Sequence, residues 1–195
     1  MPKDRTGIRG SVCVQVFGPD GKLKKRELSF GQAIKIIKQY LNQKKISFKE
    51  MIKMMSYEYS INHNLVTDEG DALLVDMLVT TGTQSAMNNA NAEMGVGDGY
   101  AGVAKSTDAL VNIIDVEQGM EATYPKQKGA FGAANDNVVQ YRTIFAAGEA
   151  TGSGLDETLL GNGTDTLAYA EITPVVNKGA ADTLQVDWEI TLLGA

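Results

Sequence analysis

Cysteine, histidine and tryptophan each occur once in the 195 residues, as Cys13, His63 and Trp188. One cysteine excludes an intrachain disulfide, so folding needs no oxidising compartment. One histidine excludes a histidine cluster for zinc. A Ser/His/Asp arrangement is formally open to any chain with a histidine, but no Gly-x-Ser-x-Gly elbow accompanies this one. His63 is therefore expected at a helix end or in a loop. Long apolar runs are missing too. The most apolar stretch, Ala72–Thr80, is short and interrupted by Asp76, so no membrane span is expected. The opening Met-Pro-Lys-Asp-Arg-Thr-Gly lacks the apolar region of a signal peptide, which reads as synthesis in the cytosol.

What is plentiful points to β-structure. Glycine occurs 21 times, and Ala, Asn and Thr are frequent, a composition suited to short strands and turns. Charge is split along the chain. Residues 1–62 hold 13 Lys+Arg and 5 Asp+Glu, a net of +8, and the remainder is −14. Such a split suggests two surfaces with different partners, or one surface that meets the other in a neighbouring copy; a solvated basic face explains it about equally well.

The stretch Thr183–Leu193 organises the rest. Leu184, Val186, Trp188, Ile190 and Leu192 alternate with Thr183, Gln185, Asp187, Glu189 and Thr191. Period 2 over this length is a strand with one buried and one wet face. Each fully buried side chain of this size contributes roughly 1.5–3 kcal/mol before entropy is charged. A central strand is expected. Val12, Val14, Val16 and Tyr141 are the other expected core residues.

Along the chain, Ser11–Phe17 alternates, Gly18-Pro-Asp-Gly21 is a turn, and Lys22–Leu28 is expected to return as an edge strand of a β-hairpin. Ser29-Phe-Gly-Gln32 and Ser47-Phe-Lys-Glu50 have capping-box spacing and open two helices. Phe30, Ala33, Ile34, Ile37, Tyr40 and Leu41 should form the inner face of the first helix. Phe48, Met51, Ile52 and Met55 should do so in the second. The outer side is basic through Lys35, Lys38, Lys44, Lys45, Lys49 and Lys53. Asn64–Thr67 reads as a short strand and 69–79 as a helix. A short helix is expected from Ser106, a strand over Gly119–Tyr124, and a long strand over Asn137–Ala146. Gly152–Asn162 reads as a turn-rich excursion. Asp165–Val176 is a strand, with an edge or bulge at Pro174.

Chemistry is hard to find. Gly95-Val-Gly-Asp-Gly99 resembles half of a nucleotide-binding motif, but no long helix follows and a tight turn is the better account. Asp98, Asp108 and Asp115 lack the EF-hand pattern for calcium. Helix-turn-helix recognition is disfavoured because the second helix offers Lys but no Arg, Asn or Gln in its first turns. For sugar binding, Tyr100 and Tyr124 are the only obvious exposed aromatics. The carboxylates are scattered, so no glycosidase pair can be argued.

Three stretches resemble tailed-bacteriophage virion structural proteins with a β-sandwich domain. The first is Val14–Leu28 with His63–Gly70 and the helix Ala72–Leu78. The second is Ala92–Gly99 with Ser106–Leu110. The third runs from Tyr141-Arg-Thr-Ile-Phe145 through Ala150-Thr-Gly152 and Leu167–Ala170 to Pro174, Asn177-Lys178 and Leu184–Ile190. The last is the most specific, a Lys-Gly turn followed by an alternating strand with Trp. Two places depart from the pattern: residues 29–62 are extra, and Gly152–Leu160 lacks a regular strand and turn.

The expected fold is mainly β: an antiparallel, jelly-roll-like β-sandwich with helical embellishment. Residues 1–28 belong to the β domain as its hairpin, 29–62 form the basic αα-hairpin insert, and 63–195 form the main sandwich with a helix at 68–79. The resemblance implies a non-enzymatic virion protein, first of all a capsid decoration (cement) protein that binds the major capsid protein. A tail, baseplate or head-fibre component is the second expectation, and a carbohydrate-binding host-attachment module the third. No catalytic residue, cofactor or metal is expected. The implied partners are virion proteins and other copies of the chain, as a trimer or dimer, with neither membrane nor nucleic acid. The six lysines above are the expected interaction surface.

Overall fold

The structure is a computed structural model that describes residues 7–42, 46–77, 86–102 and 104–193. Nine strands form one antiparallel, curled sheet. In chain order they are β1 (Gly7–Phe17), β2 (Tyr59–Val66), β3 (Glu93–Gly97), β4 (Gln118–Gly119), β5 (Lys126–Gln127), β6 (Val138–Phe145), β7 (Gly152–Gly161), β8 (Thr166–Lys178) and β9 (Thr183–Leu193). Their order across the sheet is β4-β3-β7-β8-β2-β1-β9-β6-β5. Strand β2 is the corner. Residues 59–64 pair with β1, whereas Leu65 and Val66 pair with β8. The sheet curls until its far ends approach: Thr143 Oγ1 in β6 donates to Gly119 O in β4 at 3.1 Å. The fold is therefore mainly β with helical embellishment.

Strand β9 lies between β1 and β6 with an unbroken register on both sides. Leu184, Val186, Trp188 and Ile190 are buried, and they meet Val12, Val14, Val16, Tyr141 and Phe145 in one core. The opposite face of β9 is a ladder of polar bonds. Asp187 accepts from Arg142 Nε at 2.5 Å and Gln185 Nε2 at 2.6 Å, and Glu189 accepts from Lys128 and Gln140. Leu192, placed inward by the alternation, is 47% exposed because the core ends at Ile190.

Several expectations are corrected. The turn at Gly18–Gly21 forms, with Gly21 at φ +70°, but 22–28 is not a strand. It makes single bridges, Phe17 with Leu23 and Lys25 with Tyr57, because β2 and β9 already occupy both edges of β1. Its charges are not all exposed either. Lys24 Nζ meets Asp182 Oδ2 at 2.5 Å, and Arg26 is buried against Glu58. No helix forms at Ser106, where the hydroxyl of Thr107 closes a turn on the Ala104 N–H. The expected strand 119–124 shrinks to the two residues of β4, followed by a turn in which Tyr124 N–H donates to Glu121 O. The expected excursion 152–162 is instead the ten-residue β7, which glycines and three register shifts against β8 disguise. His63 lies on the exposed side of β2, not at a helix end or in a loop.

Two helices, α1 (Phe30–Asn42) and α2 (Phe48–Ser56), pack on the outer face of β1 and β2. Both capping boxes form. Ser29 N–H donates to Gln32 Oε1 at 2.9 Å, and Ser47 N–H to Glu50 Oε2 at 2.7 Å. A third helix, α3 (Asp68–Asp76), has Thr67 as its N-cap and lies on β8. Gly70 allows this closeness, since a Cβ there would sit 2.1 Å from Leu167 O.

Candidate functional site

The αα-hairpin is oriented by one carbonyl. Strand β8 bulges around Pro174, since Leu155 pairs with Val176 and Glu157 with Glu171. The bulge frees Thr173 O from the ladder. It then accepts from Gln39 Nε2 at 3.1 Å, Ser60 Oγ at 3.0 Å and Asn62 Nδ2 at 3.0 Å. Gln39 Nε2 also donates to Asn62 Oδ1 at 2.8 Å. These bonds turn the Gln39 side of α1 toward the sheet. Ile36 is buried with Met51, Met54 and Tyr59 in a second apolar cluster.

Of the residues expected on the inner face of α1, Phe30, Ile34, Ile37 and Leu41 therefore point outward, while Tyr40 packs against the second cluster. Phe30 is 83% exposed and Leu41 66%, with Ile34 and Ile37 also exposed between them. Their spacing of four, three and four residues makes one stripe about 16 Å long at 1.5 Å per residue. On α2, Phe48 (63% exposed) and Ile52 extend it, while Met51 and Met54 face the sheet. Tyr40 and Phe48 join the helices edge to face, ring centroids 6.4 Å apart. Contiguous exposed apolar side chains of this kind mark an interaction face.

The candidate lysines divide. Lys35, Lys38 and Lys49 are exposed on the hairpin. Lys53 is turned back. Its Nζ lies 3.9 Å from the centroid of the Tyr59 ring and 3.2 Å from Gln15 Oε1, so its charge is committed to β1 and β2. Lys44 and Lys45 lie outside the described residues.

A second exposed apolar segment lies beside β3. Residues 112–114 run along that strand, with Ile114 N–H donating to Val96 O and Asp98 N–H to Asn112 O. Val111, Ile113 and Val116 project from it at 60%, 46% and 66% exposure. Asp108 and Asp115 are exposed around them. The Ala150 and Val116 N–H groups lower the pKa of the Asp115 carboxyl. Burial and the neighbouring Glu93 raise that of Glu117.

This shoulder is tied down by Glu157, fully buried in β7. Its carboxylate accepts from Asn112 N at 2.8 Å, Val111 N at 3.0 Å and Gly99 N at 3.3 Å, and the Tyr169 hydroxyl donates to it as well. A Cβ on Gly97 would lie 2.4 Å from Glu157 Oε1. A tight turn was expected of Gly95–Gly99; instead Gly97 leaves room for the buried carboxylate, and Gly95 and Gly99 leave room for Leu110 and Asn112. Replacing Glu157 with Ala orphans three amides, each at a cost of about 1–3 kcal/mol. The expected result is lost exchange protection at Gly99, Val111 and Asn112 with β9 amides still protected, measured by hydrogen–deuterium exchange.

The other candidates are not brought together as sites. Of the three aspartates weighed for calcium, Asp98 accepts from Asn112 and Asp115 from the Ala150 N–H. Among the described residues no group of three His, Cys, Asp or Glu side chains is placed to hold a metal. Burial pushes the Cys13 thiol up to about 11, with a Tyr59 hydrogen bond opposing, so it is not a thiolate at neutral pH. Tyr100 stacks on Tyr169 at 6.1 Å. Tyr124 is buried, with Lys126 and Arg142 over its ring. Neither is the exposed aromatic that sugar binding was expected to use.

The sequence marks the stripe residues but not their side of the helix. The usable signal was excess: Ile36 lies off the stripe, so α1 is apolar over more of its circumference than one sheet contact covers. Compared with known proteins, the chain matches no family model, no curated protein and no solved structure.

Proposed function

We propose that the chain is a non-enzymatic structural protein of a tailed-phage virion, a capsid decoration protein that binds and stabilises neighbouring major capsid subunits. The observation that carries this reading is the outward apolar stripe of α1 and α2, with Lys38 and Lys49 exposed beside it, while Lys35 lies on the Gln39 side of α1 near Glu171. The resemblance of the three sequence stretches supplies the virion context. Docking of this kind works by repetition, since many copies on a symmetric shell hold together through contacts that are weak one by one.

Lysines around an apolar centre suit an acidic partner. They steer encounter and set salt sensitivity, and the stripe supplies buried area. Exchanging Lys38 and Lys49 for Glu removes two rim pairs of about 0.2–1 kcal/mol each and sets like charges in their place. The expected result is about tenfold or greater loss of affinity for empty capsid shells, with a flatter salt dependence in co-sedimentation. Unchanged occupancy across the salt series removes the lysines from the interface. A ring or fibre-like oligomer that ignores shells points to a tail, baseplate or head-fibre component.

A further inference from the structure

We infer that the hairpin stripe of one copy docks on the 108–117 shoulder of a second copy. This deepens the assembly reading above by naming a partner for the same face, and it rests on that reading only in treating the face as a docking surface.

Three observations carry it. Both surfaces are exposed and apolar within one chain, so neither covers the other intramolecularly. Their scale is comparable: the stripe is about 16 Å long, and Val111 to Val116, turned at Asp115 with φ +72°, reaches no farther than about 18 Å. Their charges are opposite. On the hairpin Lys38 and Lys49 are exposed, while Glu58 is buried against Arg26 and Glu50 closes the Ser47 capping box. Residues 106–118 hold Asp108, Asp115 and Glu117 with no basic residue.

Like-on-like contacts are disfavoured. Two hairpins face to face set Lys38 and Lys49 against lysines, and two shoulders set aspartate against aspartate, each around a desolvated apolar centre. Hairpin on shoulder pairs opposite charges around matched apolar patches. If each copy of a pair gives its hairpin to the other, the product is a two-fold dimer. If the contacts run around a ring, the product is a closed trimer or higher ring.

The test uses charge reversal on exposed positions. One variant carries Lys38→Glu and Lys49→Glu, the other Asp108→Lys and Val116→Lys. Asp115 is kept because its carboxylate accepts the N–H groups of Val116 and Ala150. Mass is followed by sedimentation velocity over a concentration series, without any virion component. Wild type is expected to self-associate, more weakly as salt rises. Each variant alone is expected to associate about tenfold more weakly or worse, because its own two surfaces now carry the same sign. Their equimolar mixture is expected to regain association, since each altered surface then finds its complement. A wild type that stays monomeric throughout, a variant that associates like wild type, or a mixture that stays monomeric overturns the inference. Shell co-sedimentation separates the two proposals. A monomer that coats shells ends only the self-contact, and an oligomer that ignores them ends only the capsid partner.

Discussion

Trp188→Ser protein is expected in the insoluble fraction, with the wild type soluble under the same expression. Trp188 is fully buried at the centre of β9, opposite Val12 on one side and Tyr141 on the other. Truncating a buried tryptophan costs about 3–5 kcal/mol, against about 5–15 kcal/mol for a whole domain. Serine adds a hydroxyl to the cavity that it leaves. Trp188→Phe separates packing from polarity. The indole Nε1 has no hydrogen-bond partner among the described residues. Phenylalanine leaves a smaller cavity and removes that orphan donor, whose burial costs about 1–3 kcal/mol. The two effects oppose, so Trp188→Phe is expected to be soluble and within about 2 kcal/mol of wild type in urea unfolding. Soluble, cooperatively folding Trp188→Ser protein refutes the core assignment.

Breaking the Arg26–Glu58 pair comes next in expected effect. Arg26 Nη2 lies 3.3 Å from Glu58 Oε2, and both side chains are almost fully buried. The guanidinium also donates to Tyr57 O at 2.9 Å and Val175 O at 2.6 Å, while Glu58 Oε2 accepts from Asn177 N. The pair thus ties the segment after β1 to the start of β2 and to the far end of β8. Burial lowers the pKa of the guanidinium and Glu58 opposes that, which is how a desolvated pair differs from a surface one. Glu58→Leu leaves a buried positive charge without its counter-ion, at an expected cost of about 3–5 kcal/mol. The double change Arg26→Met, Glu58→Leu removes both charges and is expected to cost clearly less than the two single changes together. Chemical denaturation of the four proteins in a double-mutant cycle measures this. Strict additivity shows that the two groups do not interact.

How much was legible depended on how far each signal reached. Strand β9 could be read residue by residue as far as Ile190, because alternation is local and both its neighbours exist. The capping boxes at Ser29 and Ser47 could be read for the same reason: four consecutive residues contain donor and acceptor. Strand β7 could not. Its glycines and three register shifts belong to its fit against β8, which lies later in the chain. The stripe on α1 was found and then turned the wrong way, because Thr173, which fixes the helix's rotation through Gln39, lies 134 residues away. Arg26 fell within an expected charged edge strand and Glu157 within an expected turn-rich excursion. Only their distant partners, the 99–112 amides and Glu58, reveal them as buried anchors.

The position of β9 also governs how the molecule comes into being. Gly7 pairs with Leu193 and Phe17 with Thr183, so nearest neighbours in the sheet are almost the farthest apart along the described chain. Closing so large a loop is mainly a kinetic burden, because its entropy grows only logarithmically with length while the search is slow. Until β9 arrives, β1 and β6 each present an unpaired edge to the same gap. The gap is specific in width, register and apolar pattern, and it accepts the matching strand from any copy. Concentration during folding, more than stability afterwards, therefore decides whether each copy is closed by its own β9.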